Sequence, residues 1–205
     1  MENLSYYGVA VLDGHEYDDI KVDGRVTFQD TFDANFVTVR GKIICKNNAH
    51  MKELKLNGEG SFDGDLMIEH MNVDGKIKHA GSTLKASRIM IYGVVETAGD
   101  VIGETIKIDG VMCAKNVKGK KIVISDWKSN NHLFSKLLKK FCSKFVRTSK
   151  IGTITGDDID VSNTNADIIE GKNICIRSNC NIKKIVCSGE YYVALDSKVG
   201  EFIKK

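Results

Sequence analysis

The chain of 205 residues contains no proline. Ordinary usage near 5% would supply about ten. Proline has no N–H, so it is excluded wherever every backbone donor must bond a neighbouring strand. Tryptophan occurs once, and the six cysteines include no CxxC pair, which argues against a zinc ribbon or a thioredoxin-type site. No apolar run is long enough to cross a bilayer as a helix. The opening MENLSYYGVAVLDG lacks the basic region and long apolar core of a secretory signal. A cytoplasmic location with free, buried thiols is therefore expected. The net charge of +3 is too small to argue for nucleic acid. P-loop, GxSxG, HExxH and GxGxxG patterns are all missing, so no cofactor, nucleotide or familiar catalytic motif is expected.

What the chain does contain is a repeat. IKVDGRVTF, at residues 20–28, has the form of a hairpin with an Asp-Gly turn. Similar phrases return with glycines at Gly24, Gly41, Gly58, Gly75, Gly93 and Gly110, in steps of 17, 17, 17, 18 and 17. Before each glycine stand two apolar positions: Ile20 and Val22, Val37 and Val39, Leu54 and Leu56, Met71 and Val73, Ile89 and Ile91, Ile106 and Ile108. Ile122 and Ile124 extend the series, with Asp126 at the glycine position. A second column keeps the same step, from Phe32 and Ala34 through Leu66 and Ile68 to Val117 and Gly119.

Parity excludes the hairpin. Ile20, Val22, Gly24, Val26 and Phe28 share one face, so the period-two alternation passes straight through the glycine. A coil of parallel strands uses both columns, each residue stacking at ~4.8 Å on its counterpart one turn away. The expected fold is all-β: a single-stranded parallel β-helix of about 17 residues per rung and about ten rungs, a rod of roughly 45–50 Å. Residues 1–126 form its first rungs. Residues 151–205 continue it with Ile159 and Val161, Ile174 and Ile176, and Tyr191 and Val193.

Residues 127–150 differ in kind. They carry seven basic side chains and no acidic ones, so the remainder of the chain sums to −4 (3 minus 7). Leu133, Phe134, Leu137, Leu138, Phe141, Cys142 and Phe145 follow the i, i+3, i+4 spacing of an amphipathic helix. The favoured expectation is a helical insert covering part of the rod, with its lysines solvated. The alternative is an interfacial anchor at an anionic membrane surface, or at another partner. Its contact residues would be Trp127, Leu133, Phe134, Lys136, Leu137, Lys140, Phe141, Lys144 and Phe145. Nucleic-acid contact is the weakest of the three readings.

Candidates for chemistry are few. Asp23, Asp74 and Asp109 share a column with Arg40, Asn57 and Tyr92, which reads as a turn position and not as a carboxylate cluster. His50, His70 and His79 occupy different phases of the repeat and build no metal ladder. Self-association has a clearer route, because an uncapped β-helix ends in unpaired backbone groups over an open apolar section. Val9, Val11 and Tyr17 are the expected assembly residues at the N-terminal end, and Val199, Phe202 and Ile203 at the C-terminal end.

EYDDIKVDGRV, the recurring IKIDG-type rungs and the tail IGTITGDDIDVSNTNADIIEGKNICIRSNCNI resemble the bactofilins, the polymer-forming cytoskeletal proteins of bacteria. The resemblance is strongest to the clostridial type, and it spans the chain apart from residues 127–150. It implies a right-handed coil that stacks end to end without nucleotide, often at the inner face of the membrane. On that reading the protein is a non-catalytic scaffold whose partner is itself. Two alternatives remain. One is a non-polymerising β-helix adaptor that docks membrane or envelope partners through the insert; the other is a β-helix enzyme acting on carbohydrate.

Overall fold

The computed structural model describes residues 2–126 and 148–205. Its strands in chain order are β1 (Glu2–Leu12), β2 (Glu16–Phe28), β3 (Phe32–Cys45), β4 (Ala49–Phe62), β5 (Leu66–His79), β6 (Thr83–Thr97), β7 (Asp100–Ser125), β8 (Ser149–Val161), β9 (Thr164–Ile176), β10 (Asn181–Cys187), β11 (Tyr191–Val193) and β12 (Lys198–Lys204). They pair in parallel and in sequence order from β1 to β10 and then β12, with β11 on β9. This is a β-solenoid of about 11 turns. Among the described residues there is no helix. The helical expectation falls on residues 127–147, which lie outside the described residues, while Ser149 and Lys150 already belong to β8.

Each turn has three faces. Face A holds the column that runs from Leu4 and Tyr6 over Ile20 and Val22 up to Tyr191 and Val193. Face B holds Ala10 and Leu12 beneath Val26 and Phe28, and ends at Val199 above Ile182. Face C begins at Tyr17, continues through Ala34 and Met51, and ends at Phe202 and Lys204 above Ile185 and Cys187. Inward positions of all three faces fuse into one continuous buried core. No single turn has enough apolar surface to hold itself together, so stacking supplies the stability.

The expected count of ten rungs falls one short. Leu4, Tyr6, Gly8, Ala10 and Leu12 form a further turn, in register with Ile20, Val22, Gly24, Val26 and Phe28. Its apolar residues misdirect the parity, since Tyr7, Val9 and Val11 point outward.

The corner between faces A and B is built by Gly8, Gly24, Gly41, Gly58, Gly75, Gly93 and Gly110, with φ from 107° to 147°. Crowding of the core is not what selects glycine there. A Cβ added to any of these except Gly8 would run into the carbonyl oxygen of the corner glycine one turn below. The positive φ is itself nearly restricted to glycine.

Turn eight departs at this same corner. The chain leaves at Asp126 and returns at Thr148, yet the ladder beyond is unbroken, with Ile124 opposite Val161 and Ala114 opposite Ile151. In the next two turns the corner is made by Asn163 (φ 49°) and Asn179 (φ 60°), asparagine being a side chain that tolerates the left-handed region. Joining Ser125 directly to Thr148, with Thr148→Asn, would recreate the corner Val161-Ser162-Asn163-Thr164. That deletion of residues 126–147 is expected to keep the β-sheet circular-dichroism spectrum and to move the melting temperature by only a few degrees. Loss of cooperative melting would mean that the segment is structural.

One core column carries a polar exception. His79 is buried beneath Thr97, its Nδ1 lying 2.9 Å from Thr97 Oγ1, while its Nε2 has no hydrogen-bond partner. Burial pushes its imidazole below the usual range, partly offset by the Asp65 carboxylate. Because the folded pKa lies below the unfolded one, the unfolded chain takes up the proton first. Stability is then level above about pH 6.5 and falls as the pH drops below it. In denaturant titrations at pH 7 and pH 5, His79→Leu is expected to lose less stability on acidification than the native chain. Equal losses would rule His79 out as a source of acid sensitivity.

Candidate assembly surfaces at the two ends of the rod

The sides of the rod are polar and internally matched. Vertical ion pairs join residues one turn apart: Lys42 to Glu59 at 3.0 Å, Lys46 to Asp63 at 3.0 Å, Lys120 to Glu104 at 2.8 Å and Arg177 to Asp160 at 2.6 Å. Asp23 faces Arg40 at 3.7 Å and Asp109 accepts a hydrogen bond from Ser125 at 3.3 Å. This aspartate column thus sits beside the corner as a set of ladder contacts. Exposed pairs of this kind add little to stability, because water screens them.

A groove of about 900 Å³ runs along face C, over the floor Ala86, Gly103, Gly119, Gly156 and Gly171. Two of the three carboxylates in its lining, Glu104 and Glu170 beside Asp157, meet lysines. Glu104 meets Lys120, which holds its carboxyl below the usual range, and Glu170 meets Lys205 at 2.6 Å. A lowered Glu104 carboxyl is the opposite of what a general acid needs. Cys45, Cys180 and Cys187 are buried and Cys113 and Cys175 half-buried, all with free thiols. Burial pushes the thiols of Cys45, Cys113, Cys175 and Cys180 upward, the opposite of what a reactive cysteine needs. His50 lies against Asp33 at 2.9 Å on the surface. No group of three or more potential metal ligands exists among the described residues.

The ends differ from the sides. Twelve large apolar side chains are exposed among the described residues, and eight of them stand in the first or last turn: Tyr6, Tyr7, Val9, Val11, Tyr191, Tyr192, Leu195 and Phe202. At the N-terminal end Leu4, Tyr6 and Leu12 occupy inward columns with no turn of this chain beneath them. At the C-terminal end Tyr191, Val193, Val199 and Phe202 do the same. The rings of Tyr191 and Phe202 pack together there, with centroids 4.3 Å apart. Each terminal turn also presents a strand edge whose N–H and C=O groups lack a ladder on one side. Natural edges are usually blunted by lysine, proline or a covering segment, and β1 has neither lysine nor proline.

The assembly residues expected from sequence are distributed unevenly. Val9 and Val11 lie on the first turn but point sideways, 69% and 63% exposed. Tyr17 is buried, with its ring 6.0 Å from that of Phe28 in an edge contact, so it belongs to the core just above the end. Val199 and Phe202 do lie on inward columns of the last turn, whereas Ile203 points outward in register with Val186. Leu4, Tyr6, Leu12, Tyr191 and Val193 were not among the expected residues. The signal for the first three was the spacing of Gly8 from Gly24, 16 residues, which puts Leu4 and Tyr6 on the column of Ile20 and Val22. Trp127, Leu133, Phe134, Lys136, Leu137, Lys140, Phe141, Lys144 and Phe145 lie outside the described residues.

No protein family matches this chain, and neither does any curated protein or solved structure.

Proposed function

We propose that the protein is a non-catalytic structural element that assembles end to end, without nucleotide, in the manner of the bactofilins it resembles. The concentration of exposed apolar side chains on the two terminal turns supports this most directly. Exposed apolar surface marks interaction sites, and Tyr6, Tyr191 and Phe202 present it on the inward columns of the terminal turns, beside open ladder edges. A second copy continues the ladder and the core with the same chemistry that joins one turn to the next. A cytoplasmic location, with the filament close to the inner face of the membrane, accompanies this reading.

Negative-stain microscopy of the purified protein across salt and concentration tests it. Rods of many subunits, one solenoid wide, are expected; monodisperse particles under all conditions would refute assembly.

A second reading assigns residues 127–147, the insert without the residues that β8 takes up, to an anionic membrane surface or another docked partner. The unbroken ladder across the insertion favours it, because the segment is not needed to connect the turns in register. The deletion of residues 126–147 described above separates the two readings. It should keep forming rods while losing co-sedimentation with anionic vesicles. If the native chain does not sediment with such vesicles, the docking role fails.

A further inference from the structure

The groove along face C extends over most of the rod. A second hollow shares Lys85, Ala86 and Ser87 with it and runs on over Ile68, Met51 and Ala34. From Ala34 to Gly171 the floor rises through seven ladder steps, a straight channel of roughly 34 Å. The strands cross this channel and spend their N–H and C=O groups on the ladder. An occupant is therefore held by the side chains of the walls and not as an added strand.

Those walls are basic where the floor is glycine. The lining there holds five lysines and three carboxylates, a net +2 (5 minus 3). Lys205 is taken up by Glu170. Lys120 is held above its usual range by Glu104 and, to a lesser degree, by Asp157. Lys85, Lys118 and Lys172 remain, exposed and without an ion pair among the described residues. Residues 127–147 contain no carboxylate, so the chain's own insertion supplies no counter-charge.

The three free ammonium groups stand on alternate rungs, those of Ala86, Gly119 and Gly171. Two rungs span ~9.6 Å, the length of about three residues of an extended peptide. Apolar Ile102 and the hydroxyl of Thr155 stand on the wall between lysine rungs. A densely charged polyanion laid in the channel would also be brought against Glu104, Asp157 and Glu170, and like charges cost affinity. A chain with one carboxylate every third residue and small or apolar side chains between meets the lysines and passes the carboxylates.

We infer that the face C groove is a docking channel for an extended acidic segment of a partner protein, its carboxylates about three residues apart and seated on Lys85, Lys118 and Lys172. This does not depend on end stacking, since a single copy contains the whole channel.

Fluorescence anisotropy of the full chain with labelled twelve-residue peptides tests the inference. One peptide carries glutamate at every third position among proline, alanine and leucine, the proline keeping it extended. The other has the same composition with its glutamates consecutive. The spaced peptide is expected to bind about 10-fold more tightly, and the triple variant Lys85→Gln, Lys118→Gln, Lys172→Gln to weaken it by about 10-fold, three modest ion pairs being lost. Lys55, Lys78 and Lys107 are exposed and lie outside the channel. Their triple change to glutamine removes the same charge and should bind like the native chain. Equal weakening by the two triple variants would reduce the effect to net charge and overturn the site. Equal binding of the two peptides would overturn the spacing. Displacement of the spaced peptide by inorganic polyphosphate at matched charge would make the channel a general polyanion surface. No binding of the spaced peptide at millimolar concentration would refute the docking channel.

Discussion

Replacing Phe202 by aspartate is expected to leave the rod folded and to prevent its assembly. Phe202 stands on the last turn with nothing of this chain above it, 37% exposed and packed against Tyr191. The turns below make the continuous core without it. A carboxylate there costs the monomer little, because water still reaches it. In an assembled rod the next copy would seal it into the core without a partner, and burying an unpaired charge costs several kcal/mol. An increase of about 100-fold or more in the concentration needed for assembly corresponds to about 2.7 kcal/mol. Sedimentation across protein concentration reads this directly, and thermal melting at concentrations below assembly should be almost unchanged. Tyr6→Asp should do the same from the other end. If Phe202→Asp assembles like the native chain, the C-terminal section is not an interface.

The largest loss of fold stability is expected from the corner. Gly58 has φ of 139°, and a Cβ added there would run into the carbonyl of Gly41 in the turn below. Neither strain is relieved by moving a flexible side chain, since the obstacle is backbone. Gly58→Ala should cost about 3–5 kcal/mol, at the upper end of single substitutions. Gly8→Ala is the internal control. Gly8 shares the positive φ, at 107°, but has nothing within 4 Å of the added Cβ. Only the conformational cost of about 1–3 kcal/mol remains. Denaturant unfolding of both variants under non-assembling conditions gives the comparison. Equal losses would mean that φ alone selects glycine at this corner, with no part played by stacking.

Much of the rod is legible in one dimension because a solenoid is nearly one-dimensional. Residues 17 apart are neighbours in space, so the recurrence of Ile20 and Val22 as Val37 and Val39 already states a contact. Parity was enough to turn IKVDGRVTF from a hairpin into a single bent strand. The first turn escaped because Tyr7, Val9 and Val11 place apolar residues on its outward face, so hydrophobicity and orientation disagree. The ends were legible only in part for the same reason. Val199 and Phe202 keep the inward parity of the column below, while Tyr17 is closed over by the turn that went uncounted.

The sequence by itself determined the repeat, the parallel stacking and the inward columns, because those follow from local alternation and a fixed period. Only the tertiary structure decided what each column meets. It showed that the corner glycines are held by the carbonyl of the turn below, and that the carboxylates Glu104 and Glu170 in the face C groove are matched by lysines. It also showed that the ladder continues in register across residues 126–147, with Ala114 opposite Ile151 and Ile124 opposite Val161. Phase accumulates over every turn, through steps of 16, 17 and 18 and across an insertion. Whether distant columns stay aligned is therefore a property of the whole coil, and no single repeat contains it.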